Sequence, residues 1–387
     1  MNLRGNRLDI KIGHPFINFY SVNNKNRKDT QMSTKNKILN FDNQPFFVGI
    51  DVHQRSWTVT IRSGKVVLKT FSMNPSAMQL ARYMRENYPG GSYLSVYEAG
   101  YFGYSIHREL KEHGFNNIIV SPTDIPRSEK EKITKSDRID SRKLSRELEN
   151  RSLKGIYVPE VFQQELRSLV RTRHQLTRKQ SRIKNQIKSY LTFYGHKYPD
   201  RYQMGHWSGR FIEYLQNLDF AYEPGKEQLK IYLDELQTIR GLLTKTTRLL
   251  REYCRKYNIN DTILLLCSVP GVGFTTAVSV YTEVIDMKRF PDLDKLASFV
   301  GLIPAIVSSA EKASNLGIKN QHNRYLRNLL IESGWIAIRK DPALLLSYNN
   351  YIKRMCKQKA IIKIARKLLN RIRFVWKNEK EYKLSVK

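Results

Sequence analysis

Apolar and polar positions along the chain change period several times, and the changes mark its parts. FFVGIDV (46–52) is a nearly unbroken apolar run, the pattern of a strand covered on both faces. WTVTIR (57–62) and KVVLKTF (65–71) follow across Ser63-Gly64, a hairpin signal. SAMQLARYMRENY (76–88) has helical spacing and stops at Pro89-Gly90-Gly91. YLSVYEAG (93–100) reads as a strand, YSIHRELKEHG (104–114) as a helix closed by Gly114, and NNIIVSP (116–122) as a strand. The predicted order is β-β-β-α-β-α-β. Three strands joined by tight turns, then alternation, imply an α/β domain with a mixed sheet and helices on its faces. A polar, helix-prone stretch, SDRIDSRKLSRELEN (136–150), comes next.

Beyond it the period lengthens. Leu166, Leu169, Arg173, Leu176, Gln180, Ile183, Ile187 and Tyr190 alternate three and four apart, as do Leu229, Tyr232, Leu236, Ile239, Leu243, Thr246, Leu250 and Tyr253. These are two heptad seams, joined through 192–225. Residues 262–344 read as a helix-turn-helix around Val269-Pro270-Gly271-Val272-Gly273, a helix near 293–300, a loop, and a helix over 324–340 broken at Asp341-Pro342. The expected organisation is a mobile leader (1–44, with Met32 as an alternative start), an α/β domain (45–160), coiled-coil helices (161–260), a mostly α C-terminal domain (261–350) and a basic tail (351–387).

Charge narrows the function. Lys plus Arg number 67 and Asp plus Glu 35, a formal net charge of +32, which argues against a small-molecule enzyme and for a polyanionic partner. No apolar run of membrane-spanning length exists, so nucleic acid is preferred to a membrane. The N-terminus has no secretory pattern, and the three cysteines lack metal-site spacing. A soluble, cytoplasmic protein that handles nucleic acid is the expectation. Residues 161–260 carry 19 Lys/Arg against 9 Asp/Glu, and 351–387 carry 13 against 2. Grip is therefore expected in the helices and the tail, and loss of 351–387 should weaken binding more than it damages chemistry.

Four features can carry chemistry. Asp51 and Glu98 end apolar strands, and Asp137 and Asp140 lie three apart on a helix, hence on one face. Gathered together they would repel unless a cation held them, and Mg²⁺ (or Mn²⁺) prefers such oxygens. Taken singly, each also reads as an ordinary strand-end or solvated residue. Gly271 and Gly273 suit close approach of a DNA backbone to a helix N-terminus, and equally a helix turn without ligand. Ser308-Ser309 offers a hydroxyl, with Lys312, Lys319, Arg324 and Arg327 nearby for phosphate oxygens, though serine in a polar loop is commonly a turn residue. Between Leu166 and Lys188 there are eight Lys/Arg and no acid. Of these, Arg171, Arg173, Arg178, Lys179, Arg182, Lys184 and Lys188 are the candidate phosphate contacts. Tyr190, Phe193 and Tyr194 either stack on bases or fill a core. His53, His107 and His174 are scattered and suggest no zinc site.

GIDVH (49–53), YEAG (97–100) and KSDRIDSRKLSREL (135–148) resemble the RuvC-like, RNase H-fold domain of the DEDD transposases of bacterial insertion sequences, the IS110 family and its IS1111 subgroup. SVPGVGFTTAVSVYTEV, RFPDLDKLASFVGLIPAIVSSAEK and HNRYLRNLLIESGWIAIRKDPAL resemble that family's C-terminal transposase domain. The resemblance implies Mg²⁺ on Asp51, Glu98, Asp137 and Asp140, and Ser309 rather than Ser308 as nucleophile of a phosphoserine–DNA intermediate. It also implies a non-coding guide RNA and a homo-oligomer (dimer or tetramer) joined through the heptad helices. Ala310 stands where the family has glycine, and Gln321-His322 replaces its Lys/Arg-Gly before Asn323-Arg324, in a loop about one residue shorter. The rivals are a RuvC/RNase H-type junction nuclease using water, and a non-catalytic nucleic-acid scaffold.

Overall fold

The computed structural model describes residues 40–126, 136–197, 199, 205–303, 306–309, 312–315 and 322–384. Most of the expected leader, Met32 included, and Lys319 lie outside these. The chain divides at Tyr157/Val158 into two compact units.

The first unit follows the predicted order. Strands β1 (Pro45–Val52), β2 (Trp57–Ser63), β3 (Val66–Met73), β4 (Ser92–Glu98) and β5 (Asn116–Val120) alternate with helices α1 (Ala77–Asn87) and α2 (Ser105–Glu112), and α3 (Asp137–Glu149) closes the unit. The sheet order is β3-β2-β1-β4-β5. β1–β2 and β2–β3 are antiparallel, β1–β4 and β4–β5 parallel. Strand alternation sends Phe46, Val48 and Ile50 to one face, all fully buried. On that face the Tyr93 hydroxyl donates to the Met84 and Tyr88 carbonyls at the end of α1. The other face presents Phe47, Leu94, Val96, Ile118 and Val120, which pack with Leu144 and Leu148 of α3. Both faces are covered, which is why β1 reads as a continuous apolar run.

Among its described residues the second unit is helical apart from one hairpin. α4 (Val161–Phe193) and α6 (Glu223–Lys256) run antiparallel, with Arg173 Nε donating to Thr247 Oγ1 (2.8 Å) and the Tyr190 hydroxyl to the Gly225 carbonyl (2.8 Å). The two predicted seams therefore meet each other within the chain, and any subunit contact through these helices must use other faces. Near their tip, α5 (Gly209–Gln216) adds Phe211 and Leu215 to a small core with Ile183, Ile187, Leu229 and Leu236. At their base Leu166, Val170, Leu250 and Cys254 enter a larger core.

That larger core is completed by α7 (Asn260–Cys267), α8 (Phe274–Val284), α9 (Leu293–Val300), α10 (Arg324–Lys340), α11 (Pro342–Ile352) and α12 (Lys357–Asn378). Asp341 caps α11, whose first residue is Pro342, so the expected break is a helix-to-helix corner. The largest departure from the sequence reading is α12. Its side chains Ile361, Ile364, Leu368, Leu369, Ile372 and Val375 are buried, so most of the supposed basic tail is a core helix with cations on its outer face. The coiled-coil helices and 261–350 likewise share one unit with it.

Candidate functional site

The carboxylate site is built by strand register and one close helix–sheet contact. Ile50 of β1 pairs with Tyr97 of β4, so Asp51 and Glu98 are next in register at the carboxyl ends of parallel neighbours, on the same face. That is the face against which α3 lies. The approach is tight because residue 49 is glycine: a Cβ there would sit 2.2 Å from the Ser141 carbonyl oxygen and 2.5 Å from the Ser145 nitrogen. The buried Thr60–Ser141 hydroxyl pair, 2.9 Å apart, fixes the same helix to β2. Asp137 and Asp140 thus sit in the first turn of a helix whose N-terminus is held at the strand ends.

His53 joins them, which the sequence reading had set aside. Its Nε2 lies 3.2 Å from Asp51 Oδ2 and 3.7 Å from Asp137 Oδ1. Ligand atoms of Asp51, His53 and Asp137 all fall within 4.8 Å of one another, a cluster that can hold a divalent cation. Burial pushes the Asp51 carboxyl above its ordinary range, Asp137 and Asp140 push the same way, and His53 opposes them. This is the crowding of like charge that a cation relieves. Glu98 is placed beside Asp51 by register, and Asp140 shares the first turn of α3 with Asp137.

Gly49→Ala is expected to push α3 away from the sheet. Overpacking of this kind costs about 1–3 kcal/mol, and the metal affinity should fall because Asp137 and Asp140 move with the helix. Thermal melting together with Mn²⁺ titration by calorimetry checks it. Unchanged metal affinity would show that the close contact does not position the carboxylates.

The candidate nucleic-acid contacts separate into two groups. Arg178, Lys179 and Arg182 are exposed on α4, Lys188 is half-buried there, and Arg324 is exposed at the start of α10. Others are occupied within the chain. Arg171 makes a two-pronged ion pair with the buried Glu283 of α8 (2.7 and 2.9 Å), and Arg173 bonds Thr247. Lys184 lies 5.4 Å from the centre of the Trp207 ring. Burial lowers the proton affinity of Arg173, Lys184 and Arg327, and Arg327 Nε is buried without a hydrogen-bond partner. Gly271 also changes meaning. With φ of +89° it lies against α10, where a Cβ would be 2.6 Å from the Ser333 carbonyl oxygen, so internal packing demands the glycine. Gly273, at the N-cap of α8, has open space where its Cβ would be. Phe193 and Tyr194 are exposed and not core. With Arg182, Asn185, Gln186 and Tyr232 they line an open groove of about 750 Å³ near the tip of the helix pair.

Ser309 ends a short strand, β6 (Ile306–Ser309), rather than lying in a loop. It pairs with Lys312 at the start of β7 (Lys312–Asn315). The segment carrying this hairpin is held at both ends. The Asn323 amide donates to the Phe299 carbonyl (2.8 Å), and the His322 ring lies over Gly301, whose φ is +83°. Asn323 Nδ2 also bonds Glu283 Oε2 at 2.8 Å, so the Arg171–Glu283 pair is part of this anchor. Glu283 was visible in sequence as a lone acid in an apolar helix, FTTAVSVYTEV, where burial requires partners.

No helix of the described residues is long and apolar enough to cross a membrane. Two family models match in sequence order: the DEDD-type IS110 transposase over residues 48–196, and the transposase family IS116/IS110/IS902 over residues 264–349. A putative transposase of Sinorhizobium fredii, y4rJ, is 26% identical across 86% of this chain and 91% of its own length. A second from the same species, y4qE, is 27% identical over 62% of this chain. The transposase for insertion sequence element IS1111A of Coxiella burnetii is 28% identical over 60% of it. These last two matches span 57% and 62% of the relatives' own lengths. The first match covers the strands and helix that carry the carboxylates and the second the segment that carries the serine, and the chain belongs to the IS110 family of DEDD-type bacterial transposases.

Proposed function

We propose that the chain cuts and rejoins the DNA of an insertion sequence, using metal-bound carboxylates and a serine nucleophile, with a guide RNA selecting the sites and a homo-oligomer assembling them. The observation that carries this is the gathering of Asp51, His53 and Asp137 at the carboxyl ends of parallel strands, within the family-matched region. The strand order, with one antiparallel hairpin flanking three parallel strands, supports an RNase H-like, RuvC-like reading of the first unit. The Val269–Gly273 turn between α7 and α8 supports a helix-hairpin-helix-like element.

Asp51, Glu98, Asp137 and Asp140 would hold Mg²⁺ or Mn²⁺, and His53 fixes the Asp51 carboxylate. Such an ion would supply charge neutralisation and Lewis acidity. The Ser309 hydroxyl attacks phosphorus and loses its proton as the phosphoserine ester forms. The P–O3′ bond breaks and the departing 3′ oxygen takes up a proton. The ester retains the energy of the broken bond, so rejoining to a new 3′-hydroxyl needs no other energy source. Exposed cations of α4 and the first turn of α10 hold the phosphate backbone.

Asp51, His53 and Asp137, which lie together, all belong to the first unit, whereas Ser309 belongs to the second. This favours one rival, a water-using nuclease that would need the first unit alone. Incubation with element-end DNA and Mg²⁺ followed by a denaturing gel separates the readings. Ser309→Ala is expected to abolish the covalent protein–DNA band while Ser308→Ala keeps it, and chelation is expected to stop cleavage while binding remains. Cleavage by Ser309→Ala at the wild-type rate would establish water as the nucleophile.

A further inference from the structure

Directly after Glu98 the chain makes a tight turn with large aromatic residues at its tip. The Gly103 amide donates to the Gly100 carbonyl (3.3 Å), so Tyr101 and Phe102 occupy the two central positions. Such positions ordinarily go to Gly, Pro, Asn, Asp or Ser. Here the two rings pair with centroids 4.1 Å apart and planes 30° apart, and Tyr101 is 82% exposed. Packing does not require that side chain.

The turn is nevertheless held firmly. The Ala99 amide donates to the Val120 carbonyl, continuing the β4–β5 ladder one residue beyond Glu98. The buried Tyr97 hydroxyl donates to the Gly103 carbonyl (3.2 Å) and accepts from the His107 amide (3.2 Å), tying the turn to the start of α2. Its burial raises the Tyr97 hydroxyl to about 12, so it remains protonated and able to donate near neutral pH. Three residues of extended chain reach at most about 11 Å, so the Tyr101 backbone stays within that distance of Glu98. In open sheets with parallel strands, ligands sit outside the carboxyl ends, which is where this turn projects.

We propose that Tyr101, backed by Phe102, is a stacking platform for one unpaired nucleobase next to the phosphate held at the carboxylate cluster. The inference rests on the nucleic-acid reading of that cluster and specifies what lies beside it. Stacking on an aromatic face tolerates any base, so the platform contributes position rather than sequence choice. It keeps a strand splayed at the cut site, where a flanking base must leave its helix.

The test uses the full chain and single-stranded DNA carrying one photoreactive 5-iodouracil, moved base by base through an element end. Irradiation should join DNA to the peptide containing residues 101–102 from one or two adjacent positions. Tyr101→Ala should remove that crosslink and weaken single-strand binding, measured at salt high enough to screen the backbone contacts, about tenfold. Tyr101→Phe and Tyr101→Trp should keep both within about twofold. Because Tyr101 is exposed, the variants should melt with the wild type. Binding unchanged in Tyr101→Ala, or crosslinks mapping elsewhere from every position, overturns the platform while leaving the cluster's function standing. Absence of any oligonucleotide binding by the wild type overturns both.

Discussion

Deleting residues 357–378 is expected to unfold the second unit rather than merely loosen its hold on nucleic acid. The six large apolar side chains that α12 buries are worth about 1.5–3 kcal/mol each, on the order of 9–18 kcal/mol together. That is comparable to the typical net stability of a domain, about 5–15 kcal/mol. α12 also supplies Arg371, which bonds the buried Asp341 at the α10–α11 corner, and Tyr382 just beyond it reaches the same carboxylate (3.0 Å). Removal would leave that carboxylate without its cation. Circular dichroism and limited proteolysis of the truncated chain are expected to show loss of the cooperative transition. The electrostatic role of the helix is measured separately by changing its exposed Lys357, Lys359 and Lys377 to glutamine. That variant should melt within about 0.5 kcal/mol of the wild type, and its binding should lose up to about 0.9 of logarithmic salt slope per contact removed. A truncated chain that still melted cooperatively at the wild-type temperature would show that the core does not need α12.

Asp51→Asn is expected to abolish strand transfer and at the same time to stabilise the metal-free protein. The first effect follows from the proposed role of Asp51 as a metal ligand. Metal ions contribute several kcal/mol of transition-state stabilisation, and each 1.36 kcal/mol is tenfold in rate, so a loss of about a thousandfold or more is expected. The second follows from the sign of the Asp51 shift. Its carboxyl is raised by burial and by Asp137 and Asp140, so folding favours the uncharged form. The stability it contributes is present below the ordinary carboxylate range and is lost as the pH rises through the raised value. Asparagine is neutral throughout. In chelator at neutral pH the variant should therefore melt higher than the wild type, with the gap closing as the pH falls below about 4. Saturating Mn²⁺ should reverse the order, because only the wild type keeps the full ligand set. A variant that melts lower than the wild type in chelator would mean that Asp51 holds the fold together.

The first unit was legible because both kinds of strand leave strong patterns. β1 is covered on both faces and reads as an apolar run, and the β2–β3 turn carries its glycine at position 64, with φ of +58°. The α4 and α6 seams were equally legible, but periodicity does not say whether a seam meets another chain or its own partner helix. The helical spacing of IIKIARKLL in α12 is legible, but the 13 Lys/Arg against 2 Asp/Glu of 351–387 mask the fact that Ile361, Ile364, Leu368 and Ile372 form a face that enters the core. His53 was invisible for a different reason. Its approach to Asp51 depends on the turn after β1, where the His53 amide donates to the Ser56 carbonyl, and a lone histidine two residues past an aspartate has no spacing to announce it. For Gly271 the sequence left two readings open, and the close contact with α10 favours the helix turn over the phosphate site.

The pinned ends of the serine segment have a consequence for its length. A peptide whose two ends are held by a backbone hydrogen bond and a ring over a glycine closes the same mouth whatever lies between. Closure entropy grows only with the logarithm of length, about 0.6 kcal/mol for a doubling, so gain or loss of one residue is nearly free. The core behind Phe299 and Asn323 is therefore expected to tolerate the gain or loss of one residue between those anchors.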